Sequence, residues 1–372
     1  MDRPDPRGPG LALMRICQEL VRLRGHGHEL FFVHHQPSDH ELYRRAGEIV
    51  VPRLPLLAGA ALARHGLDAI CLNGFHNRLR SFGLHFYPTV RTHVLYAHGT
   101  LAFRDDYAAG GVLGPRTLGE HLRDRKTRAA MRLSVRRFHL IQTNSAFTRR
   151  VLVEAMRADA ARVRVNHLGL DHDTFRPMSR ARLEPLRRRF GVDAPCVLVA
   201  ATNTAPVKNL DTVLAAFRRL KDAGYPHKLL IMGALSPAAR AAADALGLSP
   251  WIVSTGYLSD EQDVAGLYNL SQCLAHPSLT ETFGMPLLEA FACGCPVITS
   301  DCTAMPEIAG GAALLLRRPT DAEELFARLR EVADNEVLRQ DLTRRGRARA
   351  ACFSWRETAR RYLEIVEEAA AR

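Results

Sequence analysis

Short apolar runs alternate with amphipathic stretches along most of the 372-residue chain. Apolar runs bounded by turn-forming residues are typical of buried strands, and apolar positions three and four residues apart are typical of helices. The sequence therefore predicts α/β units around parallel sheets in both halves. The predicted strands are 29–33, 68–72, 93–97, 140–143, 196–200, 228–232, 252–254, 272–275 and 296–299. The predicted helices include 11–23, 210–220, 286–293 and an amphipathic helix over 353–368.

The length of the chain is sufficient for two domains of ordinary size. The segment 175–189 is rich in charged residues and is interpreted as a connector, with a domain boundary between residues 178 and 179. No internal repeat relates the two halves, which share only their general α/β pattern.

Composition predicts a globular protein of the cytoplasm. Hydrophobic residues make up 47% and charged residues 24%, and no apolar stretch is long enough to span a bilayer. The polar, proline-interrupted segment 1–7 does not have the pattern of a secretory signal. The eight cysteines are scattered, and the one close pair, Cys293 and Cys295, fits neither a zinc ribbon nor a CxxC redox pair. We therefore expect reduced thiols and no metal site.

Nearly all of the net charge of +12 falls within residues 1–178, which suggests that this half faces an anionic partner. Four arginines recur there at helical spacing: Arg125, Arg128, Arg132 and Arg136. Such a stripe can hold anionic phospholipid or a lipid-phosphate headgroup at the membrane surface. A solvated basic face is the simpler interpretation. Nucleic acid is not expected, because no recognition motif or aromatic stacking pattern accompanies the charge.

The segment 276–294 contains the densest group of candidate functional residues. Glu281 and Glu289 stand eight positions apart, across a turn that leads into a predicted helix. Pro286 suits the first turn of a helix, and Gly284 allows a ligand to approach the backbone closely. Free N–H groups at the helix start favour a phosphate, and two carboxylates can accept hydrogen bonds from hydroxyls. The segment predicts a site for a nucleotide sugar, although either glutamate taken singly is also compatible with a solvated surface position.

The order and spacing of these residues resemble the donor-site motif of retaining glycosyltransferases of family 4, which have the GT-B fold. That motif has two glutamates separated by seven residues with Phe-Gly-x-Pro between them, and residues 281–289 read Glu-Thr-Phe-Gly-Met-Pro-Leu-Leu-Glu. The similarity extends from about 141 to 367. It implies two Rossmann-like domains that face each other across a cleft: an acceptor-side domain over 1–178 and a nucleotide-sugar donor domain over 179–353. A C-terminal helix over 354–372 would cross back to the first domain.

The resemblance also implies roles for individual residues. Glu281 and the backbone of Phe283 and Gly284 would hold sugar hydroxyls, and Glu289 would hold the ribose. Lys208, in the string Pro-Val-Lys-Asn at 206–209, would neutralise the departing nucleoside diphosphate. The full set of predicted donor-binding residues is Asn203, Phe283, Gly284, Met285, Glu289, Gly256, Tyr257 and Gly10.

Three of the implied positions lie outside this motif, and one of them, Asn203, departs from the family pattern. Asn203 stands where an arginine is common, so it can hydrogen-bond a phosphate but supplies no charge. His98 follows the predicted strand 93–97 and would contact the sugar, although a lone histidine at a strand end is also compatible with a structural role. Gly10 precedes the predicted helix 11–23 at the place of the family's phosphate loop.

No strand is predicted before that helix, because 1–7 cannot form a central buried strand. The first strand of the N-terminal domain is therefore expected to be missing, either because the sequence starts internally or because the sheet lacks an element.

The resemblance implies a retaining hexosyltransferase that moves a mannose-like or glucose-like sugar from a nucleoside diphosphate to a glycan or lipid-linked acceptor, in surface polysaccharide or glycolipid synthesis. Retention would proceed by front-face substitution, with the donor phosphate helping to deprotonate the acceptor. Lysine and helix N–H groups would replace a metal, so no cofactor besides the donor substrate is expected. Two alternatives are an inactive relative that binds sugar nucleotides or partners, and a nucleotide-sugar epimerase. A nicotinamide-dependent enzyme is disfavoured, since no GxGxxG follows a strand.

Overall fold

The structure is a computed structural model that describes residues 9–23, 27–34, 41–51, 55–73, 87, 89–98, 118–200 and 206–372. The chain forms two compact units. One falls within Met1–Arg104, Arg116–Gly169 and Phe353–Arg372, and the other within Asp105–Pro115 and Leu170–Cys352. Each described sheet is parallel, as expected for α/β units whose helices cover the faces of the sheet.

The described part of the first unit contains a four-stranded sheet of order β3-β4-β5-β6 and a separate parallel pair, β1 and β2. The C-terminal helix, α14, packs against β4, β5 and α1. The elements of this unit are α1 (Pro9–Arg22), β1 (Phe31–His34), α2 (Glu41–Arg45), β2 (Gly47–Val50), α3 (Pro55–Ala63), β3 (Ala69–Asn73), β4 (Thr92–Ala97), α4 (Leu118–Ser134), β5 (Leu140–Thr143), α5 (Ala146–Glu154), β6 (Val163–Val165) and α14 (Trp355–Ala370).

Polar side chains fix helix α14 on this unit. Asn166 donates to the Thr358 carbonyl at 3.1 Å, and the Thr358 hydroxyl donates to the His167 carbonyl at 2.9 Å. Arg164 and Glu368 form a bidentate pair with distances of 2.6 and 3.1 Å. Because Asn166 and Thr358 are both buried, the loss of either partner would leave a polar group unsatisfied in the core.

The described part of the second unit contains a six-stranded sheet of order β12-β11-β10-β7-β8-β9. One core cluster of this unit joins β7, β8 and several helices, with Phe217 and Leu229 fully buried. The elements are α6 (Arg180–Arg189), β7 (Cys196–Ala200), α7 (Leu210–Asp222), β8 (Lys228–Met232), α8 (Pro237–Ala245), β9 (Ile252–Ser254), α9 (Glu261–Leu270), β10 (Cys273–His276), α10 (Met285–Cys293), β11 (Val297–Ser300), α11 (Met305–Ala309), β12 (Leu314–Leu316), α12 (Ala322–Asp334) and α13 (Glu336–Ala350).

The prediction of α/β units around parallel sheets is confirmed, and every predicted strand overlaps an observed one. Three strands were not predicted: Gly47–Val50, Val163–Val165 and Leu314–Leu316. Each of these strands is only three or four residues long.

Two local details differ from the sequence-based interpretation, and the domain boundary between residues 178 and 179 stays a prediction. The charged connector contains the helix α6, which packs against α9. Gly266 on α9 makes room for it, since a Cβ at that position would lie 2.2 Å from Leu186 Cδ1. Helix α1 begins at Pro9, so Gly10 lies in its first turn and not in a preceding loop. Residues 1–8 lie outside the described residues, and the missing first strand stays a prediction.

Candidate functional site

The sheet order of the second unit identifies one position where a ligand is expected. From β7 the chain continues to β8 and β9 on one side, and it then returns to β10 on the other side of β7. In open parallel sheets, ligands bind outside the carboxyl ends of the strands at such a switch point. Lys208 lies on the loop after β7 and Glu281 on the loop after β10, so both candidate residues belong to this position.

Lys208 and Glu281 form an ion pair although 73 positions separate them in sequence. Lys208 Nζ lies 2.7 Å from Glu281 Oε1, and the two side chains are 19% and 20% exposed. Within the described residues, two of the three Lys208 N–H donors and Glu281 Oε2 have no hydrogen-bond partner. The pair therefore offers cationic donors and a carboxylate oxygen side by side to a ligand.

Hydrogen bonds between the two loops hold this pair in place. The Val207 carbonyl accepts from the Leu279 N–H at 2.8 Å and from the Ser278 hydroxyl at 2.9 Å. Asn209 adopts a left-handed conformation, with φ of 55°, and its amide donates to the carbonyls of Pro277 and Pro319 at 3.0 and 2.7 Å. Asparagine suits this position because it tolerates that conformation and supplies two donors.

Glu281 is surrounded by donors. Its Oε1 accepts from the Ser278 hydroxyl at 3.1 Å and lies 3.3 Å from His276 Nε2, which is outside hydrogen-bond geometry. Its own N–H donates to the Thr303 hydroxyl at 3.1 Å. Burial by itself would raise the pKa of Glu281, but the groups around it, above all the Lys208 ammonium, outweigh burial and hold that pKa below its usual range. Glu281 is therefore ionised and fixed.

Helix α10 begins beside Glu281 and is oriented to favour an anion. Gly284, with φ of 102°, precedes it in a left-handed conformation, and Pro286 lies in the first turn. A residue with a side chain would be strained at Gly284, and Pro286 removes an N–H that would have no partner in the helix. Phe283 is buried at the turn and Met285 is half-buried at the first helical position. The remaining N–H groups and the helix dipole favour negative charge at this end.

Glu289 lies on α10 and contacts Tyr268 on α9. The Tyr268 hydroxyl donates to Glu289 Oε2 at 2.8 Å, and Oε1 has no hydrogen-bond partner among the described residues. Burial raises the pKa of Glu289 to about 7, and Tyr268 and Lys208 oppose part of that rise. Each of the two glutamates thus uses one oxygen internally and leaves the other for a ligand.

Residues 187–349 match the family model described as glycosyl transferases group 1, and the matched range contains Lys208, Glu281 and Glu289. This segment belongs to the group 1 glycosyl transferases.

Curated relatives align over about half of the chain. The O-antigen chain mannosyltransferase B of Escherichia coli is 29% identical over 58% of this chain and 57% of its own length. A GDP-mannose-dependent alpha-(1-6)-phosphatidylinositol dimannoside mannosyltransferase of Mycobacterium tuberculosis is 33% identical over 54% of this chain and 50% of its own length. The chain spans about half the length of the curated relatives it matches.

Solved structures of glycosyltransferases match nearly the whole chain. Sucrose-phosphate synthase from Thermosynechococcus elongatus has a TM-score of 0.77 at 18% identity, with 98% of this chain and 94% of that chain covered. Anabaena HepE in complex with UDP and glucose has a TM-score of 0.72 at 17% identity, with 98% and 97% covered. These likenesses confirm the predicted GT-B fold class.

Two further predicted donor residues, Gly256 and Tyr257, follow a strand that lies two positions from β7 in the sheet order. This strand, β9, is the outermost described strand on its side of the sheet, and Tyr257 is 52% exposed. Gly256 has a φ of 69° and forms an isolated bridge with Gly233. Asn203 lies outside the described residues. Their roles in binding a donor stay predictions.

The other candidates belong to the first unit. His98 lies directly after β4, is 6% exposed, and has its ring centroid 4.3 Å from that of Tyr96. The Asn144 side-chain amide donates to the His98 carbonyl at 3.0 Å. This packing suits a structural histidine, and a sugar contact for His98 stays a prediction, as does a donor contact for Gly10.

Sequence reasoning missed the residues that support the ion pair and Glu289. His276 and Ser278 lie inside the motif segment without an assigned role, and Asn209 lies next to Lys208. Tyr268 and Thr303 come from other elements and gave no local signal. The signal that could have found His276 and Ser278 is that polar residues stand at and just after the end of a buried strand at the switch point. Within the described ranges, no group of three or more metal-ligating side chains is present.

The raised pKa of Glu289 predicts a pH-dependent stability. A carboxyl group with a folded-state pKa of about 7, against 4.5 in the unfolded chain, stabilises the fold fully below 4.5, and this contribution is lost as pH rises through 7. We expect the Tm of Glu289→Gln, relative to wild type, to increase between pH 5 and pH 8. This difference in Tm is measured by thermal unfolding of both proteins at several pH values.

The matched control for this experiment is Glu323→Gln, because Glu323 is a surface carboxylate that is 60% exposed. An equal pH response of the two variants would contradict the assignment to Glu289.

Proposed function

We propose that the protein transfers a hexose from a nucleoside diphosphate sugar to a glycan or lipid-linked acceptor, with retention at the anomeric carbon. The observation that carries the proposal is the Lys208–Glu281 pair at the switch point, beside the start of α10. It combines a cation, backbone N–H groups and carboxylate oxygens within one site. A ligand with a diphosphate and sugar hydroxyls requires this combination.

Lys208 would act on the departing diphosphate. Its two available N–H donors and the N–H groups at the start of α10 would stabilise the negative charge that develops as the glycosidic bond breaks. Such stabilisation is effective because the groups are fixed before the reaction and partly shielded from water. It requires no proton transfer from the protein to the phosphate.

The two glutamates would hold hydroxyl groups. Glu281 Oε2 would accept from the sugar and Glu289 Oε1 from the ribose, since these are the carboxylate oxygens that no described residue engages. A double displacement needs a carboxylate nucleophile close to the anomeric carbon. Glu281 is poorly suited to that role, because an ammonium ion and a hydroxyl already engage its charge. We therefore favour front-face substitution, in which the donor phosphate helps to deprotonate the acceptor.

The relatives support a mannose-like or glucose-like sugar. Three of the curated relatives are named as O-antigen chain, phosphatidylinositol dimannoside and MMP mannosyltransferases, and one of these names includes GDP-mannose dependence. HepE binds UDP-glucose. We propose that this protein acts in the synthesis of a surface polysaccharide or glycolipid, with the donor as substrate and without a metal.

Binding and turnover with purified full-length protein test the proposal. GDP-mannose and UDP-glucose would be screened by thermal shift, and a bound ligand at 100 times its Kd raises the free energy of unfolding by about 2.7 kcal/mol. Hydrolysis or transfer of the stabilising donor would then be measured, with Glu281→Ala as control. Binding without any turnover would favour an inactive sugar-nucleotide binding protein, and conversion of the donor to its epimer would favour an epimerase.

We also propose that α4 contacts an anionic membrane. Arg125 and Arg132 on this helix and Arg136 in the turn after it are exposed, and Arg128 is half-buried. No helix in the described ranges has the length and apolar content needed to cross a bilayer. A cytoplasmic location stays a prediction.

Cosedimentation with vesicles tests the membrane contact. Substitution of Arg125, Arg132 and Arg136 by glutamine should weaken binding to phosphatidylglycerol vesicles about a hundredfold, since each arginine near the surface contributes about 1 kcal/mol. Phosphatidylcholine vesicles serve as the control. Equal binding of wild type and variant would rule out this surface.

A further inference from the structure

We propose that His276 is a positioning residue that takes up a proton when the diphosphate of a nucleotide sugar binds, and so holds Glu281 in place as Lys208 turns to the phosphates. The inference rests on the proposed function, because it concerns the same ligand site. It assigns a task to a buried histidine that the transfer reaction does not otherwise use.

The first observation is the position of His276 relative to the ion pair. His276 ends β10 and is 3% exposed, and its carbonyl accepts from the Thr299 hydroxyl at 3.0 Å. Its Nε2 lies 3.3 Å from Glu281 Oε1, the same oxygen that Lys208 contacts at 2.7 Å. The ammonium and the imidazole are therefore alternative partners of one carboxylate oxygen.

The second observation is the charge balance around that oxygen. In the protein without ligand, one ammonium and one carboxylate compensate each other, and burial lowers the pKa of His276. The charged groups that act on the His276 ring are Lys208, on the loop after β7, and Glu281, on the loop after β10. A neutral imidazole is the expected state here, since a third charge would be buried without a partner.

A bound diphosphate changes this balance. It adds at least two negative charges beside the start of α10 and competes with Glu281 for Lys208. Glu281 would then keep its negative charge while its contact with Lys208 weakens, and a poorly paired charge at a largely buried position costs free energy. A proton taken from solvent by the His276 ring restores the pairing. The imidazolium can close the present 3.3 Å gap to a charge-assisted hydrogen bond with Glu281.

The consequence is a linkage between donor affinity and pH. The pKa of His276 lies below 6.5 in the free protein and would rise on binding. At a pH between the His276 pKa of the free protein and that of the complex, one proton is bound together with the ligand. The affinity for the donor therefore increases as pH falls, by at most tenfold per pH unit. Each phosphate of a nucleotide sugar carries one ester and one anhydride linkage and has no second ionisable hydroxyl, so its charge does not change in this pH range.

Isothermal titration calorimetry of the full chain tests the inference. GDP-mannose and UDP-glucose would be titrated between pH 6 and pH 8 in buffers of different ionisation enthalpy, which gives the number of protons bound with each ligand. Wild type should take up a proton on binding. His276→Gln should lose that uptake and the matching part of the pH dependence, because glutamine retains a donor but does not titrate.

Glu289→Gln is the matched control, since Glu289 is the other group near the site whose pKa of about 7 would let it bind a proton. Uptake that persists in Glu289→Gln and disappears in His276→Gln would support the inference. Uptake that disappears only in Glu289→Gln, or ligand binding by wild type without uptake, would overturn it while leaving the proposed function in place. If neither donor binds to wild type, the proposed function fails and the inference fails with it.

Discussion

Replacement of Lys208 by methionine should lower the rate of glycosyl transfer about a hundredfold to a thousandfold, which is the usual cost of removing one group that stabilises developing charge. Methionine has a similar length and no charge, so the change removes the ammonium with little loss of packing. The donor would also bind more weakly, because the diphosphate loses its cationic contact. Measurement of kcat and KM with the donor identified by the ligand screen gives both effects.

Lys228→Met is the matched control for this prediction. Lys228 begins β8 at the amino edge of the same sheet and pairs with Asp193 at 2.6 Å, so it lies at the opposite end of the strands from the site. We expect this variant to retain wild-type turnover. Equal losses in the two variants, or full activity of Lys208→Met, would show that Lys208 does not act on the leaving group. Partial activity of Lys208→Arg would support a role for charge.

Gly169→Ala should destabilise the first unit by about 3 kcal/mol or more, at the upper end of the effects of single substitutions. A Cβ at residue 169 would lie 2.1 Å from the Trp355 nitrogen and 2.3 Å from the Ser354 carbonyl carbon. These are backbone atoms at the start of α14, so relief of the overlap requires the C-terminal helix to move from its contacts. Urea denaturation of the full chain, followed by circular dichroism, should show that the variant begins to unfold at a lower urea concentration than wild type.

Gly59→Ala gives a control with the opposite sign. Gly59 lies within α3, and a Cβ there would have the Tyr87 ring as its nearest neighbour, at an ordinary contact distance of 3.8 Å. Alanine in a helix is favoured over glycine by up to about 1 kcal/mol, so this variant should be as stable as wild type or more stable. Equal destabilisation by both substitutions would contradict the proposed clash at residue 169.

The sequence by itself determined the elements whose cause is local. The strands Cys196–Ala200 and Lys228–Met232 were predicted with their observed bounds, because fully buried strands consist of continuous apolar runs between turn-forming residues. Helix α10 was predicted to within one residue, because Pro286 and Gly294 mark its ends. Lys208, Glu281 and Glu289 were recognised from the order and spacing of short strings around them.

Only the tertiary structure decided which of these residues act on one another. Lys208 and Glu281 meet because β7 and β10 are neighbours in the sheet, and Tyr268 reaches Glu289 because α9 packs against α10. Strand order and helix packing depend on contacts between distant segments, which no local pattern encodes. The same holds for the pKa values, since burial and the arrangement of charges in space set the opposite shifts of Glu281 and Glu289.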